Sequence, residues 1–406
     1  MIIDYFCLAC LALCVASTKA LLVPGETKAA ATVALAPLAL GNERIVVQLP
    51  GLDSNLDLPR DGDPVRLADE VCVAANLDCT THASRGEVIS LLRRAQQIAR
   101  ENVSIPLLQR SMESSRTDVD DLAGSTFWKE QIEQLQACIV AQPRQFLRCH
   151  VIQFLMFVGN SGLANAELAW LKANKKLEWI HRAIEESFVG NPYTVQNYSP
   201  MTSANALHHA YAAARFEDAT SETLENMEVI VEFGGGYGSF ARVAFQAGFK
   251  GKFVIHDLHP FSLLQRHFLF SLGIPVREHK DWNRYNTGVW FTSTMDELAA
   301  FHLREIAEAT KHTMMVGMFS LSEVSVELRE SFFSAGPGAF HNFLFFIQPS
   351  WRENSKSENL DWFLRFMFHT RPDLAWHSWQ DKGICDNRYI CGSWRGRGAM
   401  QQELDV

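Results

Sequence analysis

The sequence has little positive charge and lacks an apolar run long enough to cross a bilayer. Its 406 residues include 37 Lys and Arg against 46 Asp and Glu, a formal net charge of −9. Because a protein that coats nucleic acid is normally basic, we expect no nucleic-acid partner. The apolar run from Tyr5 to Ser17 is shorter than the roughly 20 residues of a transmembrane helix, so no stable membrane span is expected. At about 150 residues per domain, the length allows two or three domains.

Residues 1–20 fit a signal peptide instead. Tyr5 to Ser17 would form its apolar core, and Thr18-Lys19-Ala20 offers a small-x-small cleavage site. The sequence therefore predicts a protein of the secretory-pathway lumen, or a secreted one. The first residues include Asp4 and no Lys or Arg, so a short buried segment in a cytoplasmic protein stays open as the alternative.

The cysteines beyond residue 20 lack the CxxC spacing of a zinc site. They form three near pairs: Cys72 with Cys79, Cys138 with Cys149, and Cys385 with Cys391. In a secreted protein, such near neighbours predict disulfides. Buried free thiols, which are common in cytosolic enzymes, are the alternative.

The first half of the chain reads as an arm followed by helices. Residues 21–80 show no sustained period and predict an irregular arm. Residues 81–220 predict an all-helical domain, because apolar residues recur there at helical spacing. The predicted helices begin at Arg85, run from Trp128 to Val140 and from Ala164 to Phe188, and end with Ser203 to Phe216. Ser203 is the predicted N-cap of the last helix.

Strands and helices alternate over residues 221–406, which predicts a catalytic α/β domain with a parallel, doubly wound sheet and a closing pair of strands. The predicted strands are Glu228–Phe233, Lys252–His256, Val289–Ser293, Thr313–Phe319, Asn342–Ile347, Leu374–Trp379 and Arg388–Gly392. The predicted helices between them are Ser239–Ala247, Pro260–Leu272, Asp296–Thr310, Val324–Phe333 and Leu360–His369.

A glycine-rich turn follows the first of these strands and precedes a helix. It comprises Gly234, Gly235, Gly236, Tyr237 and Gly238. In an open parallel sheet, such a turn is where ligands bind. A dinucleotide fingerprint starting at Gly234 would require Gly or Ala where Ser239 stands, which argues against an NAD(P)-dependent oxidoreductase but leaves it as an alternative.

The G-x-G-x-G spacing with Glu232 two residues earlier resembles motif I of the class I S-adenosylmethionine-dependent methyltransferases. The resemblance implies a Rossmann-like, mostly parallel sheet with an antiparallel last strand, an N-terminal α-helical domain and S-adenosylmethionine as cofactor. It also implies that Glu232 receives the methionine ammonium and that Asp257, after the second strand, accepts the ribose hydroxyls. The implied cofactor-binding residues are Glu232, Gly234, Gly235, Gly236, Tyr237, Gly238, Asp257, Leu258 and Ser320.

Within that superfamily, the chain resembles the sugar O-methyltransferase group. The similarity covers roughly residues 180–395 and rests on GGGYGSFAR, on His256-Asp257-Leu258, and on the segment from Met318 to Val324. It implies methyl transfer to a hydroxyl of a sugar, a glycan or another small molecule. Two departures are that His259-Pro260 replaces the group's usual proline and acid, and that the first 80 residues have no counterpart.

An alcohol acceptor must lose its proton, which requires a His or carboxylate within hydrogen-bond reach. Glu323 follows the fourth strand on the ligand side and is one candidate base; capping of the next helix is its alternative role. His208, on the helix before the first strand, is the second candidate, and a structural histidine is its alternative role. We predict no metal ion. A cofactor-binding pseudoenzyme that acts as a partner module also stays open.

Overall fold

The computed structural model describes residues 44–47, 56–59, 61–74, 82–115, 126–156, 161–195, 201–349, 356–380 and 388–394. The predicted signal peptide therefore lies outside the described residues. Contacts divide the chain into two compact units, Met1–Val103 and Ser104–Val406. The predicted boundaries at residues 20, 80 and 220 stay predictions. In the described part of the chain, no helix is long and apolar enough to cross a membrane.

The first unit contains regular structure within the segment predicted to be an irregular arm. Strands β1 (Arg44–Val47) and β2 (Leu56–Pro59) pair in antiparallel fashion. Helix α1 (Pro64–Ala74) follows, and helix α2 (His82–Ser114) begins in this unit. The strands are too short to show a period-2 pattern, and Pro64 at the first helical position is the one start signal for α1.

The helices of the second unit that precede its sheet agree broadly with the sequence pattern. They are α3 (Thr126–Ala141), α4 (His150–Leu155), α5 (Ser161–Asn174), α6 (Leu177–Ile184) and α7 (Ala204–Thr220). The predicted N-cap is confirmed, because Ser203 accepts a hydrogen bond from the Ala206 N–H over 3.1 Å. The single helix predicted for Ala164–Phe188 is wrong. Asn174 donates to the carbonyl of Trp170 and ends α5, and the extended Lys176 starts α6.

Seven strands of the described residues form one mixed sheet. They are β3 (Val229–Phe233), β4 (Lys252–His256), β5 (Gly288–Thr292), β6 (Thr313–Met318), β7 (Asn342–Ile347), β8 (Leu374–Trp379) and β9 (Arg388–Trp394). Their order is β5-β4-β3-β6-β7-β9-β8, and β9 is antiparallel to both of its neighbours. The predicted fold class, a Rossmann-like and mostly parallel sheet with an antiparallel last strand, is confirmed.

The helices that connect these strands are α8 (Ser239–Ala247), α9 (His259–Ser271), α10 (Met295–Ala299), α11 (Leu303–Ala309), α12 (Val326–Ser334) and α13 (Lys356–Arg365). The single helix predicted for Asp296–Thr310 is wrong, because His302 adopts a left-handed conformation with φ of 53° between α10 and α11. The helix predicted from Val324 begins two residues later, after the N-cap Ser325. Residues Phe366–Thr370 form a π-helical turn after α13.

The sheet is buried on both faces, as its apolar strands require. Alternate residues of each strand point to opposite faces. Ile230 and Phe253 belong to the core that contains α3 to α9, whereas Val231 and Val254 belong to the core that contains α11, α12 and α13. The carboxyl ends of the parallel strands lie at the same edge of the sheet. The strand order reverses between β3 and β6. Open α/β sheets bind ligands at such a switch point.

One of the three predicted cysteine pairs is confirmed and one is wrong. Cys138 and Cys149 form a disulfide between α3 and the residue that precedes α4. Cys391 is a free, buried thiol, so the predicted pair with Cys385 does not form. Burial on the central strand β9 raises the pKa of the Cys391 thiol to about 12. Cys72 is disulfide-bonded, and Cys79 lies outside the described residues.

The double variant Cys138→Ser/Cys149→Ser should lose about 2–3 kcal/mol of unfolding free energy, because the bridge spans 11 residues and restricts the unfolded chain. Urea unfolding followed by circular dichroism measures this. Cys391→Ala, which removes a thiol that closes no loop, is the control and should cost less. Equal stability of the double variant and the parent would show that the bridge is not formed.

Candidate active site

A cavity of about 130 Å³ opens at the switch point between β3 and β6. One buried water needs roughly 10–15 Å³, so the cavity has room for a ligand and not merely for solvent. Its lining comes from the strand ends and from the helices that cover them. Among the described residues that line it are every cofactor-binding residue predicted from the sequence except Gly238, and both predicted bases.

Glu232 occupies the next-to-last position of β3 and is buried, with 2% of its surface exposed. Its Oε2 has no hydrogen-bond partner among the described residues. Burial and, as a smaller cause, repulsion by Asp257 raise the pKa of Glu232 to about 8. A buried carboxyl oxygen without a partner is costly, and a donor supplied by a ligand would remove that cost.

The glycine-rich turn brings bare backbone close to the neighbouring strands. Gly234 has a φ of 69°, and a side chain there would collide with Ser320. Ser320 follows β6, and its hydroxyl donates to the carbonyl of Phe233. A Cβ at Gly235 would lie 2.7 Å from Cγ2 of Ile255. The turn therefore requires glycine, and Ser320 fastens it to the loop after β6.

Gly238 and Tyr237 support the turn from behind. Gly238 is the N-cap of α8 with a φ of 93° and is not among the cavity-lining residues. The ring of Tyr237 is buried, and its hydroxyl accepts a hydrogen bond from Asn205 over 3.0 Å. Burial is the main reason that the pKa of the Tyr237 phenol is raised to about 12. Tyr237 therefore lines the cavity, while its hydroxyl accepts from Asn205 of α7.

Asp257 is held at the end of β4 by three donors. Its Oδ1 accepts the Leu258 N–H over 2.7 Å, and its Oδ2 accepts Nε2 of Gln265 over 2.6 Å and the Gly236 N–H over 3.2 Å. Burial raises the pKa of Asp257 to about 7, although these hydrogen bonds counteract it. Each carboxylate oxygen has about two acceptor positions, so Oδ1 keeps capacity for a ligand hydroxyl.

Glu323 lies in the short 3-10 segment Ser320–Glu323 after β6 and lines the cavity. The alternative role as a helix cap is wrong, because Ser325 caps α12 by accepting from the Leu328 N–H. Burial and, as a smaller cause, repulsion by Asp257 raise the pKa of Glu323 to about 8. The structure therefore places three carboxyl groups at the ends of the adjacent strands β4, β3 and β6.

His208 lines the cavity from α7 and is 4% exposed. Its Nδ1 lies 2.6 Å from Oε1 of Glu167 and 3.2 Å from the hydroxyl of Tyr389. A carboxylate oxygen only accepts hydrogen bonds, so this contact places the ring proton on Nδ1. Nε2 then carries a lone pair, and it has no hydrogen-bond partner among the described residues. An imidazole whose Nδ1 is oriented by a carboxylate in this way can accept a proton at Nε2.

Sequence reasoning missed Glu167, Met156 and Trp128. Glu167 lies on α5, 41 positions before His208, and is 2% exposed. Met156 covers the turn, since its Sδ lies 3.1 Å from where a Cβ of Gly236 would be. Trp128 on α3 packs edge-on against Phe261, and both line the cavity. The signal for Glu167 in the sequence was an acidic residue on the apolar face of α5.

Asn205 of α7 donates to Tyr237 and also lines the cavity. Among the residues that the structure describes, no group of three or more His, Cys, Asp or Glu side chains is placed to hold a metal ion.

No family model matches the chain, and no curated protein matches it. Among solved structures, it is similar to magnesium protoporphyrin IX methyltransferase from Synechocystis with bound S-adenosylhomocysteine, at 9% identity over 60% of this chain and 99% of that one, with a TM-score of 0.31. Mitomycin 7-O-methyltransferase shows 12% identity over 82% and 94%, with a TM-score of 0.27. Human N-acetylserotonin methyltransferase in complex with S-adenosylmethionine shows 10% identity over 78% and 99%, with a TM-score of 0.24. At these TM-scores the likeness carries no argument about activity, which must be argued from the residues of this chain.

Glu232→Gln should make the ligand-free protein less sensitive to rising pH. The pKa of Glu232 is about 8 in the folded protein, against about 4.3 for an ordinary Glu. The proton that the folded state retains contributes stability below about pH 4, and this contribution is lost as the pH rises through 8. Melting temperatures measured from pH 5 to 9 should therefore fall less in the variant.

The matched control for this measurement is Glu228→Gln. Glu228 is exposed and immediately precedes the same strand. It should follow the parent protein across the whole pH range. Parallel melting curves for Glu232→Gln and the parent would contradict the raised pKa.

Proposed function

We propose that the protein is an S-adenosylmethionine-dependent O-methyltransferase that acts on a hydroxyl of a sugar or glycan. The observation that carries the proposal is the meeting of two groups of residues in one cavity. Glu232, the glycine-rich turn and Asp257 line one part of it, and His208 with its unpartnered Nε2 lines another. A cofactor site and a base are thus joined at the point where a doubly wound sheet binds ligands.

The residues present fit this cofactor. The unpartnered Oε2 of Glu232 suits the ammonium of the methionine part, and Asp257 Oδ1 has capacity for a ribose hydroxyl. The turn lets the ligand approach backbone, with Leu258 and Ser320 beside it. The bound cofactor supplies a methyl group on a positively charged sulfur. The alternative NAD(P) reading is weaker, because Ser239 stands where the dinucleotide fingerprint requires Gly or Ala.

His208 is the base that the geometry favours. Its Nε2 would take the proton of the acceptor hydroxyl, and the bound cofactor would supply the methyl group to the oxygen so activated. Glu167 holds the Nδ1 proton and stabilises the positive ring that results. Glu323 has a raised pKa and is therefore protonated near neutral pH, so it serves better as a hydrogen-bond partner of the acceptor than as the base.

The proposed acceptor rests on the sequence, and the proposed location rests on the sequence and the disulfide. The sugar or glycan acceptor rests on the sequence resemblance, and a different hydroxylated small molecule would use the same base. The Cys138–Cys149 disulfide is compatible with a secretory or secreted protein, because disulfides persist in oxidising compartments. N-terminal sequencing of the protein purified from its source would test whether residues 1–20 are removed.

A transfer assay with methyl-labelled S-adenosylmethionine over glycans, sugars and small phenols and alcohols tests the proposal. Label in a base-stable ether product supports O-methyl transfer. Binding of S-adenosylhomocysteine without transfer to any acceptor would favour a pseudoenzyme that acts as a partner module. Binding of NADH in its place would favour the oxidoreductase.

Asp257→Ala should abolish detectable binding of S-adenosylhomocysteine in isothermal titration calorimetry. The variant removes the acceptor for the ribose and the group that accepts the Gly236 N–H. Asp361→Ala, an exposed position on α13, is the control and should bind as the parent does. An unchanged dissociation constant for a folded Asp257→Ala variant would refute the assigned cofactor site.

His208→Gln should lower kcat by roughly 10²–10⁴-fold, the range expected for loss of a general base, and leave cofactor affinity within about twofold. Glu167→Gln should lower kcat less, leave KM nearly unchanged and shift the pH–rate profile, since it acts through His208. His312→Gln, exposed just before β6, is the control. Full activity of His208→Gln would show that His208 is not the base and would favour Glu323 in that role.

A further inference from the structure

We propose that the three carboxyl groups at the ends of β4, β3 and β6 make the cavity select its ligand by charge, so that it binds the positively charged cofactor in preference to the uncharged-sulfur product. This inference rests on the proposed function and concerns the same cavity. It assigns to Glu232, Asp257 and Glu323 a joint role that none of them has alone.

The first support is the placement of the three groups. Strands β4, β3 and β6 are neighbours in the sheet, and each delivers one acid at its carboxyl end. All three acids line the same cavity. Asp257 interacts electrostatically with both Glu232 and Glu323, so the charge of one disfavours the charge of the others. A positive ligand group among them would relieve that repulsion.

The second support is that the cluster lacks internal compensation. Glu232 is 2% exposed, and its Oε2 is unpartnered among the described residues. Within the described part of the chain, no lysine or arginine lines the cavity. Arg242, a buried cation on α8, forms an ion pair with Glu186. A positively charged ligand group would supply the compensation that the described lining lacks.

Three other titratable groups around the cavity, His256, His209 and Tyr237, do not supply that charge. Burial lowers the pKa of His256 on β4 to about 4 and holds the pKa of His209 on α7 well below its usual range. Tyr237 titrates near 12. His208 faces Glu167 with its Nδ1. Between pH 6 and 8.5, the three carboxyl groups are the ones whose raised pKa values, about 7 to 8, fall in range.

Methyl transfer itself removes the charge that the cluster prefers. The bond between the methyl carbon and sulfur breaks, its electron pair stays on sulfur, and the hydroxyl oxygen bonds to the methyl carbon. The hydroxyl proton passes to His208 and from there to solvent. The ligand in the cavity thus loses one positive charge on transfer, while its ammonium is unchanged, so the three carboxyl groups attract the product less than the cofactor.

The test compares three ligands on the full-length protein by calorimetry at pH 6, 7, 8 and 8.5. They are S-adenosylmethionine, S-adenosylhomocysteine and the unreactive analogue in which an amine-bearing carbon replaces the sulfonium. All three carry the methionine amino group, but the nearby positive charge lowers its pKa in the two cationic ligands. The amino group of each free ligand is therefore titrated separately, and the affinities are corrected for it before their ratio is taken. We expect the preference for both cationic ligands over the homocysteine product to rise about tenfold or more from pH 6 to 8.5.

Glu323→Gln should reduce this preference several-fold at pH 8.5 and leave the affinity for S-adenosylhomocysteine within about twofold. Glu327→Gln, exposed on α12 four residues later, is the matched control and should behave as the parent. A preference that does not change with pH in the parent protein overturns the inference without any variant. Failure of all three ligands to bind would instead refute the proposed function.

Discussion

Strand β3 places the carboxyl group of Glu232 at the sheet edge formed by the carboxyl ends of the strands. The side chain is buried there, and its Oε2 has no hydrogen-bond partner among the described residues. Burial of an unpartnered oxygen costs free energy, and the fold accepts that cost at the point where the strand order reverses. The rest of the site depends on this placement. The tight turn that follows must be glycine-rich to pass Ser320, and that turn sets the position of α8 and, through Gly236, the orientation of Asp257.

The helices before the sheet supply the proposed base. His208 comes from α7 and its acid partner Glu167 from α5, and His208 contacts Tyr389 on β9 and Phe346 on β7. Tyr389 and Phe346 stack with ring centroids 4.1 Å apart, so two packed aromatic rings support the His208 ring. In the proposed function, the helical layer therefore contributes to the active site as well as covering the sheet.

The sequence was informative where a short segment fixes its own conformation. The strands β4, β7 and β8, the N-cap Ser203 and the glycine turn follow from local pattern, and the acids Glu232, Asp257 and Glu323 follow from their place at strand ends. The breaks at Lys176 and His302 were missed, because the apolar period continues through both. The partnership of Glu167 with His208 was missed for another reason, since it joins two helices whose packing no local pattern specifies.

The same reasoning explains the error at Cys391. Spacing along the chain suggested a bridge to Cys385, but the side chain of Cys391 points into the core from a strand paired on both sides. Proximity in sequence was a good guide for Cys138 and Cys149, which lie at the ends of consecutive helical segments.

The Cys138–Cys149 bridge makes the cover of the cavity one mechanical part. Trp128 precedes the bridge on α3 and Met156 follows it at the end of α4, and both side chains line the cavity. The disulfide ties the helix that carries Trp128 to the start of the helix that ends just before Met156. Reduction of the bridge would remove this covalent tie between the two sides of the cover.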